Sequence, residues 1–149
     1  MLFRSLDTYK AAIPMSEQSQ PNSAKQRTTV FFDGSCPLCA AEIDIYRQQD
    51  KIGVLDLVDI SESDSRLPVG LQREQAIARF HVIAQDGRLL SGAIAFAEVW
   101  TQLPGWHWAG KVAQLPVIQN ILEFGYRIFL HLRPAFVRLF LIVRRNRVE

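Results

Sequence analysis

The sequence predicts an α/β fold: a four-stranded mixed sheet with flanking helices and an extra helical extension at the C-terminus. Three observations lead there. Short β-branched and aromatic runs alternate with stretches of helical spacing from Thr28 to Gln102. Asp86-Gly87 separates two such runs and is a strong two-residue hairpin signal. Beyond Pro104 the strand pattern stops and only helical spacing continues. The 149 residues make one domain's worth of chain, long enough for a substantial core. Hydrophobic content of 48% and charged content of 21% are globular values and exclude a disordered chain. A net charge of +2 is too small to argue for nucleic acid.

Residues 1–27 hold no core pattern. Ser16 to Ser23 is polar and interrupted by Pro21, so disorder is expected there. Residues 1–13 fit a short amphipathic helix with Leu2, Phe3 and Leu6 on one side, and Met15-Ser16-Glu17 reads as an alternative natural start. Arg4, Asp7 and Lys10 interrupt any apolar core of a signal peptide, so a soluble cytoplasmic protein is the expectation.

Thr28 to Asp33 is the first strand. A helix from Pro37 to about Asp50 follows, with Leu38, Ala41 and Ile45 beside Cys39 and Tyr46 as its inner face, and Glu42, Arg47 and Gln49 outside. Gly53 closes the connection. Val54 to Ile60 is a second strand, expected parallel to the first because a crossover helix joins them. Asp56 and Asp59 read as solvated strand-end residues rather than metal ligands. After a polar loop holding Pro68, Leu71 to Ala78 reads as a short helix and Arg79 to Gln85 as a third strand. The Asp86-Gly87 turn leads into a fourth at Arg88 to Ser91. Gly92 to Gln102 is a helix with Ile94, Ala95, Val99 and Trp100 inward. Two parallel strands, a hairpin and a closing helix is the thioredoxin order, and it spans residues 28–103.

Residues 104–149 form the extension. A short helix is expected from Trp106 to about Leu115, then a longer one from Val117 to Leu132 with Val117, Ile121, Ile128 and Leu132 at helical spacing. Pro134 should break or kink it, with another turn or two over Ala135 to Val143. No stretch reaches 18 uninterrupted apolar residues, so a spanning helix is not expected. Phe136, Leu139, Phe140, Leu141, Ile142 and Val143 are expected to pack on the same domain. The alternative is a basic amphipathic anchor at a membrane surface or on a partner, since Arg138, Arg144, Arg145 and Arg147 flank them.

The chemistry lies at the end of the first strand. Both cysteines of the chain, Cys36 and Cys39, stand where the strand turns into the first helix. Cys36 falls at the helix N-cap, where unpaired N–H groups and the helix dipole favour negative charge, and Pro37 suits the first helical position. Cys39 is one turn on and on the same face, so the pair is placed for a small disulfide ring. A Cys-x-x-Cys behind a strand and opening a helix reads as a redox pair of the thioredoxin type.

Three other readings compete. A zinc site needs four ligands, and His81, His107 and His131 are scattered with no second close pair. A strand followed by Asp33-Gly34 also opens haloacid-dehalogenase-type phosphatases, but the expected second Asp is replaced here by Ser35. Two buried cysteines acting as small hydrophobes would leave their clustering at one helix mouth unexplained.

The run Phe32-Asp33-Gly34-Ser35-Cys36-Pro37-Leu38-Cys39 resembles the signature of the DCC family of predicted thiol-disulfide oxidoreductases, named for its Asp-x-x-Cys-x-x-Cys pattern. Asp86-Gly87 with Gly92-Ala93-Ile94-Ala95 resembles the family's second block. Leu115-Pro116 with Tyr126 to Arg133 resembles its C-terminal block, so the likeness covers roughly residues 28–135. The resemblance implies a thioredoxin-like fold and a redox activity. Active thioredoxin-like enzymes usually carry a cis-proline just before the third strand. Here Ala76-Ile77-Ala78 holds that place, and the nearest upstream proline is Pro68.

The expected reaction is thiol–disulfide exchange, with Cys36 the more exposed nucleophile and Cys39 the more covered resolving thiol. It needs no cofactor or metal, only a disulfide substrate and an electron donor. The alternative is a non-catalytic binding or adaptor module on the same frame. Asp33 is expected to orient the turn through an Asx-type hydrogen bond or to carry a proton for Cys39. Its charge also opposes a thiolate. At ~7 Å and an effective dielectric of ~20 that repulsion is about 2 kcal/mol. The helix terminus offers only ~0.3–1 kcal/mol against it, which predicts a Cys36 pKa near that of an ordinary thiol.

Overall fold

The structure, a computed structural model, describes residues 26–147. The expectations for residues 1–25 (helix, disordered linker and alternative start) lie outside the described residues. The chain order is β1 (Thr28–Phe32), α1 (Pro37–Gln49), β2 (Leu55–Asp59), α2 (Arg73–Ala78), β3 (His81–Ile83), β4 (Leu89–Ser91), α3 (Ala93–Gln102), α4 (His107–Ala113) and α5 (Pro116–Asn146).

The four strands form one mixed sheet in the order β2-β1-β3-β4. β1 pairs parallel with β2, with Val30 opposite Leu57, and antiparallel with β3, with Val30 opposite Val82. β3 and β4 form the hairpin around Asp86-Gly87, where Gly87 takes a φ of 85° that favours glycine. This is the thioredoxin-like arrangement, with β1 central.

Because β1 is covered on both faces, its apolar run is continuous rather than alternating. Val30 and Phe32 pack with Ile43 and Tyr46 of α1 and with Ala95, Val99 and Leu103 in and beyond α3. Phe31 points the other way, toward Ile60, Leu71 and Ala76 of the α2 side. The α1–β2 connection is tied by Asp50, whose carboxylate accepts from the Val54 and Leu55 amides at 2.8 and 3.0 Å.

Two faces differ from the sequence expectation. In α1 the buried residues are Ile43 and Tyr46, whereas Ile45 is exposed. Glu42 is not on the outer face: it is half-buried and accepts from Tyr46 Oη, which in turn accepts from Trp100 Nε1 at 3.3 Å. Tyr46 buries its large ring only with a partner for its hydroxyl, and that requirement turns Glu42 inward. In α3, Ala95 and Val99 are fully buried as expected, while Ile94 and Trp100 are only partly so. α4 lies tightly on α3 because Gly110 has no side chain: a Cβ there would stand 2.5 Å from the Thr101 amide nitrogen.

The largest difference is α5. It is one helix of 31 residues that runs through Pro134 without ending. Pro134 removes the N–H that would bond Leu130, but it stands on an exposed side where water can take that place. Only one face of α5 meets the rest of the molecule, against α1, α3 and α4. Val117, Ile121, Ile128 and Leu132 form its outward side and are 71%, 61%, 46% and 48% exposed. Phe136, Leu139, Leu141, Ile142 and Val143 are exposed as well, whereas Phe140 is half-buried. Phe136 packs along the helix against Phe129, with ring centroids 5.6 Å apart.

Candidate active site

β1 ends at Phe32 and delivers Asp33 to the turn that opens α1. The Asp33 carbonyl accepts from the Cys36 amide at 3.1 Å. Its Oδ1 accepts from the Ser35 amide at 3.0 Å and from the Ser35 hydroxyl. That closes an Asx-type turn. Across the sheet, Asp59 is in register with Phe32 and accepts from the Gly34 amide at 2.9 Å. Asp59 therefore clamps the turn instead of merely solvating a strand end. Gly34 is required for that approach, since a Cβ would fall 1.9 Å from Asp59 Oδ2. Burial pushes the Asp59 carboxyl up, but bonds from the Ser61 hydroxyl and amide and from Gly34 hold it below the usual carboxylate range.

Cys36 is the N-cap of α1 with extended backbone, Pro37 occupies the first turn, and Cys36 Sγ accepts from the Cys39 amide at 3.4 Å. The two cysteines, both free thiols, approach within 3.0 Å. Their exposures run opposite to expectation. Cys36 is buried, at 7% exposed, and Cys39 is half-buried. The distinction that matters is what each one faces. Cys39, unlike Cys36, lines a cavity of about 60 Å³ walled by Phe80, Phe96, Tyr126 and Phe129. Phe80 and Phe96 stack at 4.1 Å, and Tyr126 meets Phe96 edge-on at 5.4 Å.

Arg133, from the middle of α5, completes the site. Its Nη2 lies 3.2 Å from Cys39 Sγ and 3.7 Å from Asp33 Oδ2, and Nη1 donates to the Ile77 carbonyl at 3.2 Å. It thus reaches the segment before β3 at Ile77. Arg133 itself is set by the inner face of α5. One turn and more upstream, Tyr126 Oη accepts from the Phe80 amide at 2.8 Å. Glu123 accepts from Arg79 at 2.6 Å and from the Ala93 amide, at the start of α3, at 3.1 Å.

Burial and their mutual hydrogen bond separate the two thiols, while the Arg133 guanidinium lowers both. Burial pushes Cys36 up, yet hydrogen bonds from Cys39 and Arg133 and the Arg133 charge outweigh it, leaving Cys36 below the ordinary thiol value. Cys39 is pushed up to about 12, first by burial and then by its hydrogen bond to Cys36, with Arg133 opposing. The sequence arithmetic placed Cys36 near an ordinary thiol because it counted Asp33 without its counter-ion. Glu42, three residues after Cys39 on the same helical face, lines the same cavity, and burial raises its carboxyl. Among the described residues no group of three His, Cys, Asp or Glu is assembled that could hold a metal ion.

A family model described as DCC1-like thiol-disulfide oxidoreductase matches residues 30–139. The chain belongs to that family. A curated relative, an uncharacterized chloroplastic protein of Arabidopsis thaliana, is 24% identical over 119 residues. The match covers 78% of this chain and 55% of the relative, so the chain spans about half the length of the protein it matches. No solved structure matches. Arg133 and Asp59 were not identified as site residues from sequence. Arg133 closes the C-terminal block of the family resemblance, the one signal that could have singled it out.

Proposed function

We propose that the protein is a thiol-disulfide oxidoreductase in which Cys36 is the nucleophile and Cys39 the resolving thiol. The observation that carries this is the Cys36–Cys39 pair at the mouth of α1, 3.0 Å apart with Arg133 held 3.2 Å from Cys39 Sγ, and Cys36 shifted down, toward thiolate, while Cys39 is shifted up. The Cys36 thiolate attacks one sulfur of a substrate disulfide. A Cys36–substrate bond forms, the substrate S–S bond breaks, and the departing sulfur leaves with the electron pair and takes a proton from solvent. Cys39 then loses its proton and attacks Cys36 Sγ, forming the Cys36–Cys39 disulfide and releasing the second substrate thiol. The substrate gains two electrons, the pair loses two, and a dithiol donor restores it.

Asp33 holds the turn in this reading and is a carboxylate beside the pair that could take the Cys39 proton. The aromatic cavity gives the Cys39 side of the pair an apolar wall. A protein or small-molecule disulfide is the substrate class. A cytoplasmic setting belongs to the same reading, supported by a chain with only two cysteines.

Trapping tests it. Cys39→Ser should accumulate mixed disulfides on Cys36, seen by mass spectrometry, whereas Cys36→Ser should neither trap nor turn over. Trapping on Cys39 in the Cys36→Ser protein would reverse the roles. A wild-type pair that titrates against glutathione but never turns over a disulfide would favour the binding module instead.

A further inference from the structure

The outward face of α5 is a continuous apolar stripe. Val117, Ile121, Phe124, Ile128, Leu132, Leu139 and Val143 recur at three- and four-residue steps with one longer interval, and every one is exposed, Phe124 at 68%. From Val117 to Val143 the stripe runs about 39 Å at 1.5 Å per residue. Trp108, Val112 and Leu115, also exposed, extend the apolar surface onto α4 and the α4–α5 junction. Among the described residues nothing covers this surface, and it exceeds the scattered apolar residues of an ordinary exterior.

Charge selects what could cover it. Arg127, Arg138 and Arg145 are separated by 11 and 7 residues, so at 100° per residue they fall along one margin of the stripe. All three are exposed. Arg147 is exposed on the opposite margin. The helix carries one carboxylate, Glu123, and it is held on the inner side by Arg79 and the Ala93 amide, with Arg127 at 3.2 Å. A second copy of this surface would therefore bring arginines and no free carboxylate. An anionic lipid surface offers both halves of the match, headgroup charge for the margins and acyl chains for the stripe. No helix among the described residues is long and apolar enough to cross a membrane, so the helix would lie along the surface.

We infer that the outer face of α5, with Trp108 and Val112 of α4, docks the protein onto an anionic lipid bilayer, with the helix in the plane of the headgroups. Tyr126 and Arg133 lie on the opposite side of the helix, so docking leaves the cysteine site covered by protein as before. The inference stands on the helix surface alone and does not depend on the redox reading.

Flotation of the full chain with vesicles tests it. Vesicles of phosphatidylcholine mixed with phosphatidylglycerol should capture the protein, pure phosphatidylcholine should not, and high salt should release it. Arg138→Gln with Arg145→Gln should weaken capture roughly tenfold or more, since each basic residue near such a surface counts substantially. Phe124→Ser with Leu139→Ser should abolish it while leaving the circular dichroism spectrum and the cysteine alkylation rate unchanged. Because these residues are exposed, loss of fold in that variant would itself show that the stripe is covered within the protein and overturn the inference. Equal capture by neutral vesicles would overturn the charge argument. Absence of capture together with a dimer in sedimentation equilibrium would assign the face to a second copy.

Discussion

One guanidinium balances the site. Arg133 stands 3.7 Å from the Asp33 carboxylate and 3.2 Å from Cys39 Sγ, so its charge opposes that of Asp33 beside the thiol pair. An opposite charge at such distances moves a pKa by about 1–3 units. Arg133→Gln should therefore raise the Cys36 pKa by about one unit, and Arg133→Lys should restore part of the shift. The sign follows from the thiolate being the reactive form: with its pKa lowered, Cys36 stays reactive to lower pH, and the variant's alkylation profile moves to higher pH. A destabilised thiolate also disfavours the reduced state, so the variant pair should be more reducing. An unchanged profile and potential would make Arg133 a strut between Ile77 and the turn and nothing more. At the other end of the turn, Gly34→Ala forces the Asp59 carboxylate away and breaks its bond to the Gly34 amide. It should cost about 1–3 kcal/mol in denaturant unfolding. Combined with Asp59→Ala it should cost little beyond Asp59→Ala alone, because the two changes remove one interaction. Full additivity would mean that the clash is not with Asp59.

Elements were legible where the signal is local. The β1–turn–α1 unit, the Asp86-Gly87 hairpin and the parallel β1–β2 crossover all rest on residues close in sequence, and each forms as expected. The site was half legible for the same reason. Cys36, Cys39 and Asp33 share one turn, whereas Arg133 reaches Cys39 across 94 residues of sequence, a separation no local pattern encodes. Periodicity also has a blind side. It groups Val117, Ile121, Ile128 and Leu132 on one face of α5 but does not say which face meets the core. The opposite face is apolar too, with Tyr126, Phe129 and Leu130 against the cavity. What decides is polar: Glu123 and Tyr126 each satisfy an amide near the start of α3 or β3, and those bonds turn their side of the helix inward. In α1 the same logic puts Ile43 rather than Ile45 beside Tyr46, since Tyr46 brings Glu42 and Trp100 with it.

At the scale of the whole molecule, every bond among the described residues that fixes α5 to the sheet layer lies at or before Arg133. Glu123 ties to Arg79 and Ala93, Tyr126 to Phe80, and Arg133 to Ile77, Asp33 and Cys39. The large apolar side chains beyond, among them Leu139, Leu141 and Ile142, are about half exposed, so removing them forfeits little burial. A chain ending at Val137 keeps Arg133 inside a complete turn of helix and should keep the fold. Its melting temperature should stay within about 4 °C of the full chain, roughly the shift that 1 kcal/mol brings in a domain of this size. The Cys36 alkylation profile should also be retained, because the guanidinium that sets it is still held. Capture by anionic vesicles should fall sharply, since three of the four marginal arginines, Arg138, Arg145 and Arg147, and the Leu139–Val143 end of the stripe are gone. Unfolding or aggregation of the shortened chain would mean that residues 138–147 are part of the core in solution. A stable chain with a displaced alkylation profile would mean that the far end of α5 holds Arg133 in place.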